Sequence, residues 1–434
     1  MFPITKEQLE GAIKDLQIAD ITQATIRQIC SLAANLEKIA DDKFVHLEIG
    51  NPGLPASQVG IEAECEALRS GIPNKYPDIS GIPVLKEAGS KFIKAFLNVD
   101  IAPENIFATV GSMQGSFALM MTLMHRIPGK DSILFLQPGF PATLNQAHIL
   151  GIGIESFDIY EYRGKKMEAK LEEYLSKGNI TALVYSNPNN PAWTNLTDEE
   201  LEIIGRLATK YDVIVMEDLA YMGMDFRTDF SHPYEAPYIP TVAKYTDSYI
   251  MMCSASKIFS YAGQRIAIAA MSPKAAEREY PALKEFFGMP RLRDAFVFGT
   301  LYAISSGTAH SAQYAMAAML NGAAEGTLNF VETSREYGRR AAIAKKMLLD
   351  NGFHIVYDID GNVPISDGFF FTAGYKDMTS EEMQLELMRY GISSISLPST
   401  GSEQNGVRIC VSMISDPETF EMFNTRLKKF NDEH

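Results

Sequence analysis

The chain has 434 residues, of which 46% are hydrophobic and 21% are charged, and its formal net charge at pH 7 is −15. This composition is typical of a globular protein, and an acidic chain without any run of Lys or Arg argues against a nucleic-acid partner. No apolar stretch approaches the roughly 20 residues that span a bilayer, so no membrane segment is predicted. The N-terminus also lacks the basic and then apolar order of a signal peptide.

The cysteines indicate a reducing compartment. They are scattered along the chain without the spacing of metal ligands, at Cys30, Cys65, Cys253 and Cys410. Free thiols are typical of the cytosol, so we expect a cytoplasmic protein with reduced cysteines and no metal site.

A chain of this length is expected to form two domains, because a single hydrophobic core seldom grows beyond about 250–300 residues. Residues 1–50 hold a helical pattern followed by the strand Phe44–Ile49, and we expect an N-terminal arm that forms part of the smaller domain. Residues 51–310 are predicted to form the large domain and residues 311–434 the small C-terminal domain.

The middle of the chain alternates strand patterns with helical patterns such as Met113–Arg126 and Asp198–Lys210, the latter after a Thr197 cap. The predicted strands are Ile106–Val110, Ser132–Gln137, Gly153–Asp158, Thr181–Ser186, Asp212–Glu217, Ser248–Ser254 and Arg265–Met271. This alternation predicts an α/β fold, a three-layer sandwich around a mostly parallel sheet of about seven strands. The connection from Ser254 to Arg265 is short for a crossover, so the last strand is predicted to run antiparallel.

The C-terminal region predicts a smaller α/β domain. Ser311–Leu349 is rich in Ala and Met at helical spacing and is interrupted near Asn321-Gly322, which predicts a connecting helix pair. The elements predicted after it are the strands Asp367–Ala373, Gly391–Leu397 and Gly406–Met413 and the helices Ser380–Tyr390 and Pro417–Phe430.

One segment, from Ser254 to Arg265, combines residue types that suit a phosphorylated aldehyde. Lys257 lies beside the hydroxyls of Ser254 and Ser256, and Arg265 follows a turn that contains glycine. A lysine amine forms imines when its surroundings lower its pKa, and an arginine binds phosphate in a planar fork. Taken alone, the segment equally fits a surface lysine after a strand.

Further polar residues follow the predicted strands at the edge where open α/β sheets bind ligands. Gly111–Gly115 opens a helix whose free N–H groups favour an anion, and Asn187–Pro191 contributes amide side chains. Asp218 and Tyr221 follow the strand Asp212–Glu217. Each group alone also fits an ordinary turn or cap. Together they offer a partner to every polar part of pyridoxal phosphate.

In order and spacing these residues resemble the class I and II aminotransferases of fold-type I, the aspartate aminotransferase superfamily, over nearly the whole chain. The resemblance implies pyridoxal 5'-phosphate as the cofactor, with Lys257 in Ser-x-Ser-Lys as the Schiff-base lysine. It also implies that the cofactor's phosphate is bound by Ser112, Met113, Ser254, Ser256 and Arg265.

The same resemblance implies which residues bind the ring of the cofactor and which bind the substrate. Asp218 in Asp-x-Ala-Tyr matches the partner of the ring nitrogen, and Tyr221 and Asn190 match the partners of the ring oxygen. Phe140 in Pro-Gly-Phe-Pro matches the aromatic side chain stacked on the ring. The catalytic set that the resemblance implies is Lys257, Asp218 and Tyr221.

The implied substrate residues are Gly50, Asn190 and Arg408, of which the arginine grips the α-carboxylate. Tyr76, in Lys-Tyr-Pro-Asp, matches a tyrosine that reaches the phosphate in the neighbouring subunit. The resemblance therefore implies a homodimer in which Tyr76 serves the other site.

The sequence departs from the family pattern at several positions. Ala192-Trp193 replaces Thr-Gly after Asn190-Pro191, which is expected to bring the only tryptophan near the active-site edge. Ala267 replaces a glycine, and Met113 replaces a residue that is commonly polar. The arginine with which the dicarboxylate-specific branch binds a distal carboxylate is replaced by Leu301, although Arg291 and Arg293 lie nearby in the sequence.

The resemblance implies transfer of an amino group between an L-amino acid and a 2-oxo acid. Leu301, Phe140, Trp193 and the strand Gly368–Phe371 favour an apolar or aromatic substrate side chain. A carbon–sulfur β-lyase on the same scaffold is the main alternative, since it uses the same residues. A regulator would need an added DNA-binding domain, and a catalytically dead scaffold is hard to reconcile with an intact set of Lys257, Asp218 and Arg408.

Overall fold

A computed structural model describes residues 2–434 of the chain. The strands are β1 (Val45–His46), β2 (Ile106–Thr109), β3 (Ser132–Gln137), β4 (Gly153–Asp158), β5 (Ile180–Ser186), β6 (Ile214–Asp218), β7 (Tyr249–Ser254), β8 (Ala267–Met271), β9 (Phe353–Ile355), β10 (Ile359–Asp360), β11 (Val363–Pro364), β12 (Phe370–Tyr375), β13 (Ile392–Ser393), β14 (Ile395–Ser396) and β15 (Val407–Cys410).

The helices are α1 (Lys6–Asp15), α2 (Ile26–Ala40), α3 (Gln58–Arg69), α4 (Pro83–Leu97), α5 (Gly111–Leu123), α6 (Pro141–Ile149), α7 (Lys166–Leu175), α8 (Asp198–Lys210), α9 (Ala255–Ile258), α10 (Pro273–Glu277), α11 (Pro281–Phe287), α12 (Leu292–Asp294), α13 (Tyr302–Ser305), α14 (His310–Ala324), α15 (Phe330–Asp350), α16 (Ser380–Arg389) and α17 (Pro417–Glu433). A π-helical turn, Ala295–Leu301, joins α12 to α13.

The central sheet has seven strands in the order β2-β8-β7-β6-β5-β3-β4. All neighbours are parallel except at β8, which runs antiparallel to both β2 and β7. Alternate side chains of each strand face two separate cores, so that Met251 packs on one side of the sheet and Met252 on the other. The three-layer α/β architecture and the antiparallel last strand are therefore confirmed.

The smaller sheets come from the C-terminal part of the chain and from the N-terminal arm. A four-stranded sheet has the order β14-β15-β12-β9, and β1 pairs in parallel with β13. The predicted strand Gly391–Leu397 is wrong as one element, because β13 and β14 pair with different partners on either side of Ser394. The boundaries of the domains, 1–50, 51–310 and 311–434, stay a prediction.

The predicted helix pair is present as α14 and α15, with the break at residues 325–329 rather than at Asn321-Gly322. The predicted strand Asp367–Ala373 begins later, at Phe370. Helix α8 has the predicted bounds because Thr197 and Glu200 form a capping box that fixes where the helix begins.

Arg126, just after α5, connects the starts of two central strands. Its guanidinium is buried and donates to the main-chain oxygens of Thr181 (3.1 Å) and Asp212 (2.7 Å) and to the Asp212 carboxylate (2.8 Å). Burial opposes ionisation of Asp212, but hydrogen bonds from Arg278 and Arg126 lower the pKa of this carboxyl to about 2.

We expect Arg126→Gln to lower the free energy of unfolding by about 3 kcal/mol, because it removes a fully buried guanidinium and leaves two main-chain carbonyls without its hydrogen bonds. Arg278→Gln is the matched control. Arg278 binds the same carboxylate from a side chain that is 45% exposed, so its loss is expected to cost less than about 1 kcal/mol. Urea unfolding measures both variants, and equal losses would contradict the burial argument.

Candidate active site

A cavity of about 660 Å³ lies at the carboxyl edge of the central sheet. Strands β3, β5, β6 and β7 end at its wall, as ligand sites in open α/β sheets require. Of the residues that the resemblance assigned to catalysis, the cofactor or the substrate carboxylate, all line this cavity except Tyr76. These residues are Gly50, Ser112, Met113, Phe140, Asn190, Asp218, Tyr221, Ser254, Ser256, Lys257, Arg265 and Arg408.

Lys257 lies on the short helix α9, which begins directly after β7. Its Nζ donates a hydrogen bond to the main-chain oxygen of Gly50 and lies 5.2 Å from the centre of the Phe369 ring. Burial lowers the pKa of Lys257 to about 8, and the positive charges of Arg408 and Arg265 act in the same direction. The amine is therefore neutral, and nucleophilic, at a lower pH than an ordinary lysine.

An anion cradle lies between the start of α5 and the Lys257 segment. Gly111 has a φ of +67°, and a Cβ at this position would lie 2.5 Å from Nη2 of Arg265. The guanidinium thus lies against the backbone at the helix N-terminus, and it forms no ion pair within residues 2–434. Ser254 and Ser256, 3.0 Å apart through their hydroxyls, line the same cavity. Free N–H groups, hydroxyls and an unpaired arginine together suit a phosphate.

Asp218 ends β6 and, of the residues that the structure describes, is the one carboxylate that lines the cavity. Burial raises the pKa of Asp218 to about 6, and its carboxylate accepts a hydrogen bond from the Ala220 N–H at 3.1 Å. Burial also raises the pKa of the Tyr221 phenol. A buried carboxylate facing a cavity is suited to bind a protonated ring nitrogen.

Arg408 on β15 forms the opposite wall. It is almost fully buried, donates from Nη2 to the main-chain oxygen of Glu48, and lies 4.8 Å from the centre of the Phe370 ring. Its Nε has no hydrogen-bond partner among residues 2–434. The side chain lines the cavity and forms no ion pair within residues 2–434, so its guanidinium is suited to bind a carboxylate from the cavity.

Some expectations about the cavity are wrong. Trp193 is buried behind the wall and does not line the cavity, because its ring packs against Tyr221 and Phe370. Leu301 is likewise absent from the wall, since the π-helical turn directs it into the core on the other side of the sheet.

Arg291 and Arg293 do not reach the cavity either. Both are held in ion pairs with Glu277 and Asp294 at the surface. Tyr76 is 93% exposed and lies in a separate surface groove, so this chain does not bring it to its own Lys257.

Helix α2 contributes to the cavity wall, although no sequence motif placed it there. Ile26, Arg27 and Cys30 line the cavity. The Thr25–Gln28 capping box marks the start of this helix, but nothing local indicates that it crosses the site. Arg27 is exposed and forms no ion pair within the described part of the chain.

Comparison with known proteins identifies the family. Residues 42–426 match the family model described as aminotransferase class I and II. The chain belongs to this family. The resemblance drawn from the motifs is thus confirmed, and members of the family use pyridoxal 5'-phosphate.

Two curated relatives and one solved structure illustrate the similarity. A probable aspartate aminotransferase of Methanocaldococcus jannaschii is 27% identical over 58% of this chain and 62% of its own length. An S-alkyl-thiohydroximate lyase of Arabidopsis thaliana is 28% identical over 47% of this chain and 44% of its own length. The chain thus matches less than two thirds of either relative. The structure of aspartate aminotransferase from Thermus thermophilus with maleate shares the fold, with a TM-score of 0.76 and 19% identity over 97% of this chain and 98% of that one.

The side chains around the cavity fit the family's cofactor. The cradle between Gly111 and Arg265 suits the phosphate, the Asp218 carboxylate suits the ring nitrogen, and Lys257 supplies an amine of lowered pKa for the aldehyde. Among residues 2–434 no group of three or more His, Cys, Asp or Glu side chains is placed to hold a metal ion. Over the same residues, no helix combines the length and the apolar character needed to cross a bilayer.

The lowered pKa of Lys257 predicts how cofactor attachment depends on pH. In cofactor-free protein, the rate of covalent attachment of pyridoxal 5'-phosphate should rise as the pH passes through about 8 and then level off, because only the neutral amine attacks. Absorbance after rapid mixing measures this rate, borohydride traps the product, and Lys257→Ala gives the background. A rate that climbs without levelling through pH 10 would contradict the assignment.

Proposed function

We propose that the protein transfers an amino group between an L-amino acid and a 2-oxo acid. One observation carries the proposal: a lysine amine of lowered pKa and a buried arginine without a carboxylate partner among residues 2–434 line the same cavity, beside an anion cradle. The arginine suits the α-carboxylate of an amino acid, and the lysine suits the adjacent carbon. Family membership supports the same reaction.

Lys257 and Arg408 have different roles toward the substrate. Arg408 binds the α-carboxylate and so fixes the direction of the Cα–H bond. Nζ of Lys257 then takes the proton from Cα and delivers it to the carbon that receives the amino group, as general base and then general acid.

Pyridoxal 5'-phosphate, when bound, supplies the ring that accepts the electrons of the broken Cα–H bond. Asp218 would hold the ring nitrogen protonated, with Tyr221 and Asn190 at the ring oxygen and Phe140 on the ring face. Ser112, Met113, Ser254, Ser256 and Arg265 would bind its phosphate, and Gly50 would lie beside the substrate.

The walls of the cavity favour an apolar or aromatic side chain on the amino donor. Phe140, Leu144, Ile26 and Phe370 are among the apolar residues that line it. Arg27 is the exception, and it would suit an acidic 2-oxo acid as the second substrate. A carbon–sulfur β-lyase remains the alternative, since one relative is named as a lyase.

A substrate panel separates the two reactions. Amino donors of graded side chain are incubated with pyruvate, with 2-oxoglutarate and without acceptor, and the amino acid and 2-oxo acid products are measured. We expect turnover only with an acceptor, fastest with apolar or aromatic donors, and Lys257→Ala is expected to abolish it. Release of pyruvate and ammonia from a sulfur amino acid without acceptor would instead establish elimination.

We further propose a homodimer in which Tyr76 completes the neighbouring site. A tyrosine that is 93% exposed beside a groove formed by Leu68 and His310 is placed for contact with a second chain. Sedimentation velocity measures whether the protein is a dimer. The cytoplasmic location stays a prediction.

Mixed dimers test this directly. Lys257→Ala and Tyr76→Ala are each expected to be nearly inactive alone. If Tyr76 acts in the neighbouring site, a mixed dimer contains one site with both defects and one intact site. Unfolding and refolding the two variants together should therefore restore activity. No recovery in verified mixed dimers would contradict the shared site.

A further inference from the structure

Trp193 occupies a backbone conformation that seldom suits its side chain. It is the only tryptophan of the chain, is fully buried, and has a φ of +65°, in the left-handed region that favours glycine. A residue other than glycine held in such a region costs on the order of 1–3 kcal/mol. Its indole Nε1 is also buried without a hydrogen-bond partner in the described part of the chain, which adds a second cost. Packing around the ring must offset both.

The packing partner on one face is Gly368. A Cβ at this position would lie 2.0 Å from Cε2 and 2.3 Å from Nε1 of Trp193, so the indole lies directly against the glycine backbone. No other residue fits at Gly368 while the indole keeps its place. Gly368 precedes β12, whereas Trp193 follows β5, so the contact joins the central sheet to the smaller one.

The remaining contacts reach the wall of the active site. The indole centre lies 5.5 Å from the Tyr221 ring and 6.2 Å from the Phe370 ring, both in edge-to-face geometry. Tyr221 and Phe370 line the cavity, and so does Asn190 in the same loop as Trp193. The main-chain N–H of Trp193 donates to the main-chain oxygen of Asn189 at 3.0 Å, which fixes the residue within that loop.

We propose that Trp193, seated on Gly368, is a positioning residue that holds Tyr221, Phe370 and the Asn190 loop in place around the cavity. The indole supports the rings of Tyr221 and Phe370 from behind, and its own backbone belongs to the loop that carries Asn190. The kinetic part of this inference rests on the proposed transamination, and the structural part does not.

A double-mutant cycle tests the contact from both sides. Trp193→Gly relieves the backbone strain but removes the support, and Gly368→Ala displaces the indole without altering Trp193. The φ of Gly368 lies outside the left-handed region, so alanine fits its backbone. Each single variant is expected to lower kcat/KM by about 10- to 100-fold, with a change in kcat itself, because small misplacements of site residues are costly.

The double variant shows whether the two substitutions lower kcat/KM through the same contact or independently of each other. Once the indole is removed, the methyl group introduced by Gly368→Ala has free space, so this substitution should add little to Trp193→Gly. Fully additive losses would overturn the proposal.

Fluorescence gives an independent readout, because Trp193 is the only tryptophan. In Gly368→Ala its emission should shift to longer wavelength and acrylamide should quench it more. Unchanged kinetics with a displaced indole would also overturn the proposal.

Two controls separate positioning from general loss of packing. Phe107→Ala removes a buried ring that does not line the cavity, and Gly89→Ala adds a methyl group against Ile268 in the core. Both should lower thermal stability and leave KM and kcat nearly unchanged. If Trp193→Gly behaves like Phe107→Ala, the residue is structural only.

The design also holds if Trp193→Gly fails to fold, because Trp193→Asn takes its place in the cycle: asparagine tolerates the left-handed region and is too small to fill the space of the indole. If the wild-type protein transfers no amino group, the proposed function fails by itself. The affinity for pyridoxal 5'-phosphate then replaces kcat/KM as the readout. Gly368→Ala should weaken this affinity at least several-fold, and an unchanged affinity would overturn the positioning role.

Discussion

Two main-chain carbonyls just after β1 hold the two cations on which the site depends. The oxygen of Gly50 accepts from Lys257, and the oxygen of Glu48 accepts from Arg408. Lys257 lies on α9 directly after β7 of the central sheet, and Arg408 lies on β15 of the smaller sheet, so a short segment near the N-terminus sets the spacing between them. Neither cation has a carboxylate of residues 2–434 within ion-pair distance, so both stay available to a ligand. An excess of positive charge in a buried cavity is what an anionic cofactor and an amino acid carboxylate require.

The segment itself is anchored by a buried carboxylate. The Glu48 side chain accepts from Ser393 and is paired with Nδ1 of His46 at 2.9 Å. Burial alone would raise the pKa of Glu48, but the hydrogen bonds from His46 and Ser393 lower it overall, so this group stays ionised. Because His46 and Ser393 lie on the paired strands β1 and β13, the N-terminal arm and the small sheet together fix the carbonyls that orient the cations.

The sequence was most informative where local chemistry decides the structure. Strand β3 has the predicted bounds because its apolar run is buried on both faces of a parallel sheet, and α8 because a capping box sets its start. Gly111 and Lys257 could be named because each comes soon after the end of a strand, and Arg265 because it lies just before β8. The direction of the Trp193 side chain could not be inferred, because it depends on Gly368, which is distant in the sequence. The direction of Leu301 could not be inferred, because no local pattern indicates the π-helical turn in which it lies.

The same limit explains why the substrate side chain is harder to infer than the cofactor. The cofactor's partners come mostly from consecutive strand ends of one sheet, whose parallel order brings them together. Ile26 and Arg27 on α2 and Phe370 on β12 line the same cavity, and under the proposed function they face the substrate. Helix α2 is held by a core that includes Met388 and Ile395, near the other end of the chain. Under the proposed function, substrate choice therefore depends on how α2 packs against the C-terminal part of the chain, while cofactor choice depends on the central sheet.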